Sequence, residues 1–196
     1  MKFYKAALLS VALMGVASVI GAAEAAKTAG TAKAAETVKA VPGAAVYIYN
    51  WADAARPDAE ADPLTVIVDK SEDFWHQNPT LKNNEETKKF VGAKHFIVWK
   101  GYIHIPAPGT YTFSSSVGAS DVNVIIQLNG KDFLCCDRGW NNKLHASRSV
   151  QLSKGDYELT AIMKSFGHGY FELKMWDKKR PFKKTTITPA KMVHAE

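Results

Sequence analysis

From residue 46 onward, apolar and polar residues alternate with a period of two, in short segments rich in β-branched and aromatic side chains. Residues 122–128 show the pattern plainly: Val122, Val124, Ile126 and Leu128 share one face, while Asn123 and Gln127 fall on the other. Tyr157, Leu159, Ala161 and Met163 repeat it. Period two is the signature of a half-buried strand. It predicts strands over 46–51, 64–69, 94–105, 109–116, 122–128, 147–152, 155–164 and 170–176, punctuated by Asn129-Gly130 and Pro108-Gly109 as turns. Eight strands at this spacing predict an all-β fold, an antiparallel, jelly-roll-like sandwich or barrel. Helix is scarce: one short piece is expected over 83–90, after a lid-like stretch over 74–81.

The pattern is different before residue 45. Residues 1–5 carry Lys2 and Lys5, and 6–23 then run without a charge and exit through small residues. A basic start, a short apolar run and a small-x-small exit predict a secretory signal peptide over 1–23, with cleavage after Ala23 or Ala25. Residues 24–44 use almost only Ala, Lys, Thr, Gly and Glu and read as a flexible linker. The sandwich domain is expected over 45–196. No stretch after the leader is long and apolar enough to span a bilayer as a helix. The expected location is outside the cytoplasm: periplasm, cell surface or medium.

Charge alters this picture only locally. Losing Lys2 and Lys5 with the leader lowers the net charge from +6 to +4. Five cations, Lys178, Lys179, Arg180, Lys183 and Lys184, crowd around Pro181 and Phe182. Such a cluster attracts an anionic polymer or a membrane surface; for an exported chain, nucleic acid is the poorest partner.

Two cysteines are too few to staple a scaffold, and they are adjacent. Cys135 and Cys136 are expected in a loop before Trp140. There they could form a strained vicinal disulfide, bridge to another molecule, or stay reduced and partly buried. Catalysis has no motif to stand on: no Gly-x-Ser-x-Gly elbow, no phosphate loop, no metalloprotease helix. Asp58, Glu60 and Asp62 fail the calcium-loop pattern, which Pro63 and Asp69 break. The six histidines show no zinc spacing. The chain is expected not to be an enzyme.

An ordered set of landmarks remains. Trp99, Gly101, Ile103, Ile105, Pro106, Gly109, Tyr111 and Phe113 stand at fixed intervals. They are followed in register by Leu128-Asn129-Gly130-Lys131, then Trp140, then Leu152, Gly155 and Tyr157, and finally Leu173, Met175 and Trp176. The series resembles the signature of the β-sandwich modules named after the anthrax protective antigen, well over 92–192 and loosely over 45–91. The resemblance implies inward-facing Trp99, Tyr111, Phe113 and Trp176, and a function in glycan binding or adhesion.

In sugar-binding members of that family, an Asp-Asp-Gly step holds a calcium ion. Here Asp121 matches the first aspartate, Val122 replaces the second and Asn123 the glycine. Calcium needs six to eight oxygens, and a valine side chain offers none. The resemblance places Asp121, Asn123, Trp140, Asn141, Phe166 and His168 around one loop end as candidate ligand-binding residues. No cofactor is required, and calcium would rest on Asp121 alone. Two functions are in view. One is an exported module that binds a glycan or another extracellular ligand. The other is a subunit of a surface appendage or envelope complex that kept the fold and lost the ion site.

Overall fold

A computed structural model describes residues 40–50, 57, 60–75, 79–90, 93–118, 122–137, 144–166 and 169–195. Its frame is a pair of 12-residue strands, β5 (Lys94–Ile105) and β10 (Gly155–Phe166). They pair antiparallel over their whole length, Ile105 opposite Gly155 and Lys94 opposite Phe166. On the far edge of β10 lie β7 (Val122–Leu128) and then β8 (Lys131–Asp137). On the far edge of β5 two partners share the length. β2 (Ala44–Asn50), with β3 (Thr65–Asp69) outside it, takes His95 to Lys100; β13 (Val193–Ala195), with β1 (Ala40–Pro42) outside it, meets Tyr102. The second sheet runs β12 (Thr185–Ile187), β11 (Tyr170–Asp177), β6 (Gly109–Val117) and β9 (His145–Leu152), with the two-residue β4 (Phe74–Trp75) added to β11. These two antiparallel sheets enclose one core in a unit spanning Val38–Glu196. The expected all-β sandwich is what forms.

Alternation builds the core. Every second residue of β7 is buried, as are Trp99, Ile103 and Ile105 of β5, with Phe113 of β6 and Phe171 and Leu173 of β11 opposite. Between the sheets Phe74 stacks on Phe171 at 4.6 Å and meets Trp99 edge-on at 5.5 Å, the two arrangements that ring quadrupoles favour. The Trp99 indole N–H donates to the buried Asp69 carboxylate at 2.8 Å, and the Ser71 amide donates to the same carboxylate at 2.9 Å. Pairing the indole donor this way avoids the penalty of burying it unsatisfied. Gly101 lies mid-strand rather than in a turn or bulge. A Cβ there would stand 2.8 Å from the Val193 carbonyl oxygen, so its role is to let the C-terminal strand pass close to β5.

Several expectations need correction. The helix over 83–90 is replaced by α1 (Pro79–Asn83) and a 3-10 turn at Lys88–Phe90. Between them the Asn84 side chain accepts from the Glu86 amide, and the Thr87 hydroxyl donates to the Leu81 carbonyl. Those local bonds compete with a continuous helix. The described ends of the stretch over 74–81 are not lid-like, since Phe74 and Leu81 are core residues at 1% exposure; residues 76–78 lie outside the described residues. Trp176 does not face inward: Phe171, Leu173 and Met175 do, and the half-buried Trp176 ring carries the Lys184 ammonium at 4.9 Å. Strand pairing begins at Ala40, ahead of the expected start near 45.

Candidate functional site

Strand register gathers one end of the sandwich. Val122 pairs with Ser165, Asn123 with Asp137, Ser116 with His145, Val117 with Phe171, and Tyr170 with Trp75. The strands that bound the segments 119–121, 138–143 and 167–168 thus start or stop side by side. Two close approaches tie this end together. The Gly118 amide donates to the Tyr170 carbonyl at 3.1 Å, and the Tyr170 ring lies where a Cβ on Gly118 would come within 1.9 Å of it. Gly169, at φ +146°, abuts Val122, whose Cγ2 would be 2.2 Å from an added Cβ.

Of the candidate residues, Asn123 is the best described. It is half-buried on β7 with its side chain on the outer face of the sheet, opposite to the buried Val122 and Val124. Phe166 closes β10 opposite Lys94. Asp121, Trp140, Asn141 and His168 lie outside the described residues. Cys135 and Cys136 are not in a loop: they sit on β8 opposite Ile125 and Val124. Neither cysteine is in a disulfide: Cys135 is exposed and Cys136 buried, as strand alternation requires, with their side chains on opposite faces of the sheet. The Cys136 thiol donates to the Ser115 carbonyl across the core at 3.3 Å, and burial raises its pKa.

Three features of this end escaped the sequence. Trp75 and Tyr170, cross-strand neighbours on the second sheet, are 38% and 47% exposed and offer two aromatic rings at the edge of the loops. A row across the outer face of the first sheet runs Tyr49, Phe96, Lys164, Asn123. In it the buried Lys164 places its ammonium 5.7 Å from the Phe96 ring centroid. Burial, and then the neighbouring Tyr47, raise the Tyr49 phenol above its ordinary value. The third is His95, whose Nδ1 is buried without a hydrogen-bond partner while its ring packs edge-on against Phe90 at 4.9 Å. Desolvation lowers its pKa, opposed more weakly by the Ala93 backbone.

The described residues do not fit a calcium ion at the Asp121 step. The Val122 side chain is fully buried in the core and that of Asn123 points the other way, so the two cannot converge on a cation beside Asp121. Among the described residues no three His, Cys, Asp or Glu side chains cluster to hold a metal. An open cavity of about 220 Å³ lies elsewhere, where β5 exchanges β2 for β13, lined by Tyr47, Lys100, Tyr102, Glu158 and His194 among others.

No family model and no curated protein matches the sequence. Solved structures do match in fold. An anti-sigma factor domain-containing protein superposes with TM-score 0.55 at 19% identity, over 81% of this chain and 50% of its own. A second, from Clostridium clariflavum, gives 0.54 at 18%, over 80% and 48%, so the chain spans about half the length of these two proteins. The Epithelial Adhesin 6 A domain from Candida glabrata, solved in complex with Galb1-3GlcNAc, gives 0.55 at 12% identity over 82% of this chain and 90% of that one. The PA14 sugar-binding domain from an RTX adhesin gives 0.52 at 13% identity over 79% and 99%. The chain therefore shares the β-sandwich fold of PA14-type domains.

Proposed function

We propose that this chain is an exported, non-enzymatic glycan-binding module of the protective-antigen type. It would hold its ligand at the loop end without calcium. The observation that carries the reading is the Trp75–Tyr170 pair, two half-exposed aromatic rings beside the segments that bear Asp121, Trp140, Asn141 and His168. Sugar rings present C–H faces that stack on aromatics and hydroxyls that need paired donors and acceptors, which Asn123, Asn141 and Asp121 can supply. The solved PA14 sugar-binding domain and the adhesin–disaccharide complex support the reading through the shared fold.

A second reading has its own observation. Val122 occupies the position of an ion ligand yet is a core residue, which suits a sandwich that became a subunit of an envelope or appendage assembly. A glycan array run with and without chelator separates the two. The expected result is binding to one glycan class that survives chelation and falls about three- to tenfold in Tyr170→Ala, the worth of one aromatic contact. Binding lost on chelation would restore the ion site. No glycan binding, with co-purification of a fixed envelope protein, would favour the second reading.

A further inference from the structure

The basic run at 178–184 forms the tip of the hairpin that joins β11 to β12, in which Met175 pairs with Thr185. The tip is held by hydrogen bonds to β6, to the Asp177 carboxylate and within its own backbone. The Lys178 amide donates to the Thr110 carbonyl, Arg180 to Asp177, and Lys183 to Arg180, while the Asp177 carboxylate accepts from the Lys179 amide at 2.9 Å. Phe182 projects from this frame at 99% exposure, whereas no other described large apolar side chain exceeds 47%. Lys178, Lys179, Arg180, Lys183 and Lys184 surround it, all exposed. From Lys178 to Lys191 there is no acidic residue. The tip leaves β11 at its C-terminal end and the candidate ligand loops adjoin its N-terminal end, about 23 Å away along the strand at ~3.3 Å per residue.

We propose that this tip docks on an anionic lipid surface, with Phe182 entering the interface and the five cations resting among the headgroups. An amphipathic protrusion of this kind combines two forces: apolar transfer of the ring and attraction of Lys and Arg to acidic lipids. Long lysine and arginine stems let the charges stay in water while the ring sinks. A purely electrostatic site for a soluble polyanion has no use for an unsupported phenylalanine at its apex. Docking here points the opposite end of the sandwich, with Trp75 and Tyr170, away from the membrane. The proposal does not depend on what that end binds.

The test is vesicle sedimentation of the protein recovered after export, so that any leader removed by the cell is already gone. Wild type is expected to pellet with mixed phosphatidylglycerol–phosphatidylcholine vesicles and not with phosphatidylcholine alone. Phe182→Ala should weaken the partitioning about tenfold, the worth of a partly buried phenyl ring. Replacing Lys178, Lys179 and Arg180 together by alanine should weaken it on the order of a hundredfold. Neither change touches the core, so the melting temperature should not move, and Phe182→Ala should leave binding to dextran sulfate as it was. Failure of the wild type to pellet with the mixed vesicles overturns the proposal. So does pelleting of Phe182→Ala equal to wild type, which would assign the cluster to an anionic polymer instead.

Discussion

The two ends of this sandwich use glycine for different physical reasons. At the loop end Gly118 and Gly169 are needed for what touches them: a Cβ would collide with the Tyr170 ring in one case and with Val122 in the other. At the opposite end Gly130 has nothing within 4 Å of a Cβ, and its role is conformational. It follows Asn129 in a turn where both residues have positive φ, 49° and 71°, the requirement of the tight two-residue hairpin. At the loop end the glycines admit close approach between segments distant in sequence, whereas Gly130 serves a local turn. A ligand site is built more readily at the loop end, because close approach fixes side chains from several strands against each other.

Gly169→Ala should do the most damage. It combines a φ of +146°, which L side chains rarely adopt, with a 2.2 Å collision against a fully buried valine. Backbone strain and overpacking each cost about 1–3 kcal/mol, so denaturant unfolding should show a loss of about 3 kcal/mol or more. A loss under about 1 kcal/mol would mean that the loop end gives way easily, and the contrast between the ends would collapse.

Gly118→Ala tests the same end with a different partner. The colliding group is a half-exposed tyrosine ring that can swing into solvent, so stability should fall by only about 1 kcal/mol. Ligand binding should fall as far as in Tyr170→Ala, because the ring has left its place. Thermal melts alongside glycan binding check both parts; intact binding would exclude Tyr170 from the site.

His95 adds a pH dependence to the loop end. Its folded pKa lies below the ordinary 6.5 because burial disfavours the imidazolium. The unfolded chain therefore binds the proton more readily, and stability must rise with pH in this range. The contribution is complete above pH 6.5 and is lost as pH falls through 6.5 toward the folded value. Denaturation series in mildly acidic buffers should show that slope in wild type, and a shallower one in His95→Phe.

How much of this was legible in the sequence depended on whether the signal was local. All eight strands expected from alternation form, because period two with one buried face leaves a strand few other choices. The short strands β1, β4, β12 and β13 were missed, since two or three residues carry no period and gain their hydrogen bonds from distant partners. β8 was read as a loop because adjacent cysteines and flanking aspartates hide the alternation that leaves Cys136 buried and Cys135 exposed. At the candidate site the topology of the loop end could be anticipated from the order of landmarks. The exposure of Trp75 and the seat of Tyr170 on Gly118 could not, because both arise from pairing between β4, β11 and the end of β6.

The mildest expected effect lies in the Asn129-Gly130 turn, and it sharpens the contrast from the other side. Gly130→Ala meets no neighbour, so only the positive φ opposes it, at about 1 kcal/mol. Gly130→Asn should lose only a few tenths of a kcal/mol, since asparagine tolerates the left-handed region through local hydrogen bonding, as Asn129 already does. Asn129 also holds the turn to β10: its amide donates to the Glu158 carbonyl at 2.9 Å and its side-chain oxygen accepts from the Glu158 amide at 3.0 Å. That anchor survives either substitution at 130, so chemical denaturation should rank Asn above Ala at this site. The same asparagine swap at Gly169 should be no milder than alanine, because there the obstacle is the side chain of Val122 and not φ alone.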